Sequence, residues 1–142
     1  MSKLEVIRIY ADGACRGNNA EGRQPGAYGV VLLYGNNRKE LKGVFKKTTN
    51  NRMEIMAAIK GLKALKRCDI PVEIYSDSQY LVSTMNEHWE KKTNLDYWKE
   101  LYSELARFKE VRFIKVKGHS DNENNNRADA LANEALDEAG IR

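Results

Sequence analysis

The spacing of apolar residues along this chain switches repeatedly between a period of two and a period near 3.6, the repeats of strands and helices. Leu4 to Ala11 alternates, with Val6, Arg8 and Tyr10 on one side and Glu5, Ile7 and Ile9 on the other, and is expected to be a strand. A glycine-rich stretch, GACRGNNAEGRQPGAYG, is expected to be a loop. Tyr28 to Tyr34 is a nearly continuous apolar run, the pattern of a buried strand. GNNR at Gly35 to Arg38 has turn composition, and Glu40 to Lys46 returns as the second arm of a hairpin. TTNN supplies cap-type residues ahead of Met53 to Leu65, where Ile55, Ala58, Ile59, Leu62 and Leu65 recur at helical spacing. Val72 to Ser76 reads as a strand and Ser78 to about Glu87 as a helix. Leu95 to Phe108 is a further helix, Val111 to Val116 the last strand, and Asn126 to Ala139 the last helix.

The expected order is therefore β-β-β-α-β-α-α-β-α. Three early strands suggest an antiparallel meander, and the later strand–helix alternation suggests parallel strands. The fold class is α/β: a mixed five-stranded sheet flanked by helices. At 142 residues, residues 1–142 are expected to form one domain, long enough to bury a core. No repeat longer than a four-residue echo, no low-complexity segment and no linker interrupts it.

Apolar residues make up 42% and charged residues 31%, as in ordinary globular proteins. No apolar run approaches the ~20 residues that a membrane span needs. The N-terminus enters a strand pattern at once, so the protein is expected to stay in the cytoplasm. Cys15 and Cys68 are too few for a disulfide framework or a zinc site and are expected to be packing thiols. Net charge is +4 with a pI near 9.0, a mild pointer to a polyanionic partner. The basic residues Arg38, Lys39, Lys42, Lys46 and Lys47 fall together, whereas the segment from Asp121 to Glu138 is acidic.

The echo joins IYADGA at Ile9 to Ala14 with IYSDSQ at Ile74 to Gln79. Taken alone, Asp77 between a strand and a helix is most simply a helix cap. In an open α/β sheet, though, ligands bind beyond the carboxyl ends of parallel strands. If the first and fourth strands lie side by side, Asp12 and Asp77 meet at that edge. Two bare carboxylates 4 Å apart repel by roughly 4 kcal/mol at an effective dielectric of 20. A hard divalent cation, Mg²⁺ or Mn²⁺, relieves this. Glu54 in TTNNRMEIMAA and Asp129 in RADALANEAL each pass singly for carboxylates at a helix start. His119 in KGHSDNEN passes singly for a solvated loop histidine. All five together do not.

At this point a family pattern is on the page. The chain resembles type 1 ribonuclease H, in its bacterial form, from Leu4 to Leu136. The segments YADGACRGN, TTNNRMEIMAA, YSDSQY, VKGHSDNENN and RADALA carry the resemblance, in that order. It implies an endonuclease that hydrolyses the RNA strand of RNA–DNA hybrids with two metal ions, leaving 3′-hydroxyl and 5′-phosphate ends. Asp12, Glu54, Asp77 and Asp129 then match the metal-binding carboxylates, and His119 the histidine that assists proton movement or product release. Gly13, Ala14 and Cys15 offer backbone beside the site, while Asn18, Asn50 and Gln79 match positions that contact the hybrid across its minor groove. Thr49 and Asn94, with Lys47 nearby, resemble the pocket that grips a phosphate of the DNA strand. The implied partner is an RNA–DNA hybrid, with no membrane and no obligate protein partner, and a monomer suffices.

Two departures are visible. AEGRQ at Ala20 to Gln24 lengthens the first glycine loop and is expected to lie on the surface. Only Glu90, Lys91, Lys92 and Thr93 separate Trp89 from NLDYW, so the basic, tryptophan-bearing protrusion of well-known bacterial members is missing. Trp89, Lys91 and Lys92 are the residues that would replace it in reduced form. A separate N-terminal hybrid-binding domain is not expected. The competing readings are another nuclease on the same fold and a module that binds hybrids without cutting them.

Overall fold

A computed structural model describes residues 5–17, 23–88, 90–118 and 122–142. The elements run β1 (Ile7–Cys15), β2 (Gln24–Tyr34), β3 (Asn37–Thr48), α1 (Asn50–Lys63), β4 (Val72–Ser76), α2 (Gln79–Asn86), α3 (Leu95–Leu105), β5 (Val111–Lys115) and α4 (Glu123–Glu138). This is the expected order. The strands form one sheet in the order β3-β2-β1-β4-β5. β1–β2 and β2–β3 are antiparallel, while β1–β4 and β4–β5 are parallel.

Alternation along each strand divides the core between the two faces of the sheet. Ile7, Ile9 and Ala11 of β1 and Val72 and Ile74 of β4 pack with Ile55, Ile59 and Leu62 of α1, Leu81 of α2, and Trp98 and Leu101 of α3. The other face presents Tyr10 and Val31 to Ala128 and Leu131 of α4. β1 is therefore covered on both sides, which fixes its pleat: a slip of one residue would send Ile9 and Tyr10 to the wrong layers.

The strands that enclose the glycine-rich stretch are longer than their periodicity suggests. β1 runs on to Cys15 and β2 begins at Gln24, so Gly13 and Gly26 are strand residues rather than loop residues, while Gly29 lies in β2 as the Tyr28–Tyr34 run predicts. Gln24, expected on a surface loop, is half-buried in β2. The reason is close approach. A Cβ on Gly29 would sit 2.7 Å from the Ala132 nitrogen of α4, and one on Gly13 would sit 2.8 Å from the Glu54 nitrogen of α1. Glycine lets both helices lie directly on the sheet. Gly35, by contrast, is a true turn residue. Its φ of +59° is the only positive value in the Gly35–Asn36 turn that joins β2 to β3, the pattern of a type II′ hairpin.

Polar caps shift the helix boundaries. Thr49 caps α1 by accepting from the Arg52 N–H at 3.2 Å, so Asn50 and Asn51 already lie in the helix. Asn122 caps α4 by accepting from the Asn125 N–H at 2.9 Å, and the helix starts at Glu123, three residues ahead of the expected Asn126. α3 ends at Leu105 and not Phe108. Between α2 and α3 lie residues 87–94 only, with no helix among those described.

Candidate active site

The echoed tetrapeptides pair in register. Ile9 stands opposite Ile74 and Tyr10 opposite Tyr75, whose rings stack with centroids 4.6 Å apart and planes 11° from parallel. Asp12 and Asp77 each follow two residues later, at the same carboxyl edge of neighbouring parallel strands. Asp77 is not a cap: Ser78 takes that role, its hydroxyl accepting from the Leu81 N–H at 3.1 Å.

Glu54 reaches the same edge from α1. It is the fifth residue of that helix and lies beyond the first turn, where a carboxylate gains most from the helix dipole. Its position follows from Gly13, against which the backbone of Met53 and Glu54 is pressed. One carboxylate oxygen from each of Asp12, Glu54 and Asp77 falls within 4.8 Å of the others. Asp129 stands outside that triangle but within hydrogen-bonding reach of Asp12. It too lies past the first turn of its helix, since α4 starts at Glu123.

Asp12 and Glu54 are only 4% exposed. Burial pushes the Asp12 carboxyl up to about 9, reinforced by Asp77 and then by Asp129. Burial likewise holds Glu54 well above its ordinary value, with Asp12 as the next cause. The Gly13 N–H opposes both shifts. Among the described residues no lysine or arginine pairs with any of the four acids. Glu54 Oε1 is buried without a hydrogen-bond partner. A buried carboxylate oxygen left bare beside two others fits a metal ion as its missing partner, and an all-oxygen donor set suits a hard divalent cation.

The other expected site residues fall into two groups. Gly13, Ala14 and Cys15 form the end of β1, next to Asp12. Burial, with Glu54 nearby, pushes the Cys15 thiol up to about 11, so it packs as a thiol, as expected. Thr49, Asn50 and Gln79 sit at the starts of α1 and α2, and Lys47 is exposed near the end of β3. Asn94 precedes α3 in the left-handed region, at φ 57°. Its amide donates to the Tyr80 hydroxyl at 3.1 Å, and its carbonyl oxygen accepts from Arg52 at 3.2 Å. Asn18 and His119 lie outside the described residues. Gly118 lies against the site: an added Cβ there would meet Asp77 Oδ2 at 2.7 Å.

Arg52 was not among the sequence candidates, although it lies in TTNNRMEIMAA two residues before Glu54. It joins the caps of α1 and α3. Its guanidinium stacks on the Tyr97 ring at 3.8 Å and pairs with both oxygens of Asp96, at 3.3 and 2.9 Å. Its own N–H binds Thr49 and its side chain binds Asn94.

Comparison with known proteins decides the family. A family model described as RNase H matches residues 5–137. The chain belongs to the ribonuclease H family. It is 46% identical to the ribonuclease H of Clostridium botulinum across 97% of this chain and 100% of that relative. It is 47% identical to the ribonuclease H of Chlorobaculum parvum across 94% and 97% of the two chains. Among solved structures, LC11-RNase H1, determined in complex with an RNA/DNA hybrid, superposes with a TM-score of 0.79 at 31% identity, covering 94% of this chain and 98% of that one. RNase H1 of the archaeon Halobacterium salinarum does so with 0.76 at 30%, covering 94% and 98%. On this ribonuclease H fold Asp12 lies on β1, Glu54 on α1 and Asp129 on α4, and Asp77 directly follows β4.

Proposed function

We propose that this chain, acting as a single ribonuclease H domain, is an endonuclease that hydrolyses the RNA strand of RNA–DNA hybrids and leaves 3′-hydroxyl and 5′-phosphate ends. The observation that carries this reading is the meeting of Asp12, Glu54 and Asp77 within 4.8 Å, on a chain of this family. The hybrid seen with LC11-RNase H1 supports the choice of substrate.

Asp12, Glu54, Asp77 and Asp129 are the residues that would hold two Mg²⁺ ions, or Mn²⁺ in their place. Such ions would supply a means of activating water and of stabilising the oxygen that leaves the phosphodiester. The protein contributes charge and position. To hold such ions Asp12 and Glu54 would be ionised, and the stacked tyrosines and the Gly13 contact keep their strand and helix in place. His119 moves a proton or helps product leave. The backbone of Gly13 to Cys15, with Asn18, Asn50 and Gln79, reads the minor groove, where the RNA 2′-hydroxyls lie. Thr49 and Asn94, braced by Arg52, grip a phosphate of the DNA strand with Lys47 nearby. The reaction is placed in the cytoplasm.

The deciding experiment offers the protein four end-labelled substrates with Mg²⁺: RNA–DNA hybrid, single-stranded RNA, duplex RNA and duplex DNA. Cleavage confined to the RNA of the hybrid and stopped by chelator is the expected result. Binding of the hybrid without cleavage in Mg²⁺ or Mn²⁺ would overturn it in favour of a non-cleaving module.

A further inference from the structure

Arg16 directly follows β1, four residues beyond Asp12, yet its side chain is spent on α4. One guanidinium nitrogen donates to Asp137 Oδ1 at 2.6 Å and to the Ile141 carbonyl at 2.9 Å. The other donates to Asn133 Oδ1 at 2.9 Å and, more weakly, to the Asn133 carbonyl at 3.3 Å. With its carbonyl oxygen so held, the Asn133 amide can point only its N–H₂ the other way. That group donates to the Asp129 carbonyl at 3.0 Å and lies 3.4 Å from Asp129 Oδ1. The path therefore runs from Arg16 through Asn133 to the carboxylate that leans on Asp12.

We infer that Arg16 and Asn133 are positioning residues, which fix the orientation of Asp129 toward Asp12 and so set how tightly the site takes its divalent ion. This rests on the metal-dependent reading above. The physical case is one of geometry. Asp12 and Asp129 come from different elements, β1 and α4, and once both are ionised to take a cation they repel each other unless something holds them. β1 supplies Asp12, and the residue that follows it supplies the clamp on the helix that bears Asp129, so the separation of the two acids is governed by a short, direct connection. The planar fork of arginine suits this, since it binds Asn133 and Asp137 at once. An amide fixed on one side by arginine presents a fixed donor on the other, as outer partners of metal ligands do.

The clamp has a purely structural component that can be separated. Asp137→Asn removes the exposed ion pair but leaves the Asn133 path intact. Calorimetric titration with Mn²⁺, in the absence of any nucleic acid, reads the ion affinity directly, beside a thermal midpoint for each variant. For Asn133→Ala and Arg16→Leu the expected result is an affinity weakened about 10-fold, the lower end of the losses seen for outer partners of metal ligands. Asp137→Asn is expected to lower the thermal midpoint and keep the wild-type affinity. An unchanged affinity in Asn133→Ala, or an equal loss in Asp137→Asn, would overturn the positioning role while leaving the proposed nuclease standing. No Mn²⁺ binding by the wild-type protein would overturn both.

Discussion

Glu40 and Glu54 are the same side chain put to opposite uses. Glu40, on the exposed edge strand β3, accepts from Arg127 at both oxygens, 3.0 Å each, and from Arg38 at 3.0 Å. Arg127 reaches on to Glu134, and Lys42 bridges Glu134 and Glu138, so β3 is laced to α4 by alternating charges. Hydrogen bonding to Arg127 drives the Glu40 carboxyl down to about 2. Glu54 has burial, three acidic neighbours and a bare oxygen instead, and it is held far above its usual range. The surface network is neutralised by the chain itself. The buried cluster leaves its charge for something else to neutralise, and that incompleteness is what marks it as a site.

The comparison breaks most visibly at Asp12. Asp12→Asn should cut hybrid cleavage by more than about 100-fold, beyond the usual loss at an outer partner. It should also raise the thermal midpoint in chelator by at least about 3 °C, because an amide needs no proton to stay neutral in that buried position, whereas the Asp12 carboxyl must hold one well above its ordinary range. A variant that loses activity and stability together would mean that Asp12 is holding the fold, not a cation.

Next in size is a backbone change. Gly29→Ala drives a methyl group into the α4 backbone and should cost about 1–3 kcal/mol, read by denaturant unfolding. Cleavage should fall with it, since α4 carries Asp129.

The third test uses pH. Folded Asp12 keeps a proton that the unfolded chain gives up near pH 4, so its contribution to stability is full below that value. It is lost as pH climbs toward about 9. In chelator the thermal midpoint should therefore fall by at least about 3 °C between pH 6 and 9, and Mg²⁺ should restore it. A midpoint indifferent to pH and to Mg²⁺ would contradict the buried-charge account.

The smallest effect belongs to the surface. Glu40→Gln should move the midpoint by no more than about 2 °C, and less in high salt, with cleavage unchanged. A large loss would show that the β3–α4 lacing, and not the sheet contact at Gly29, seats the last helix.

Much of this was legible beforehand. The period of two in Val72 to Ser76 located β4 at its observed bounds, because a short buried strand between clear breaks has nothing to blur it. The IYxD echo placed Asp12 beside Asp77, since parallel strands with the same sequence and register deliver the same residue to the same edge. Glycine misled. Gly13 reads locally as a loop residue, whereas its use is decided by α1, far away in sequence. Asparagines misled in the same way: Asn50, Asn51 and Asn124 have the composition of a loop but lie in the first turns of helices, behind Thr49 and Asn122 caps. Arg52, Arg16 and Asn133 could not be weighed at all, because their importance lies in partners 42, 121 and 117 positions away, a separation no local pattern encodes.

The contacts at Gly13 and Gly29 also say something about how this protein can change over time. Where two elements meet through side chains, a substitution on one is answered by a substitution on the other, and the spacing wanders. Here α1 and α4 touch the sheet through bare backbone, so no partner can answer. The apolar layers are free to be rewritten around two fixed points, and the acids ride with those points. A descendant that kept all four acids but replaced either glycine would have the right residues at the wrong separation.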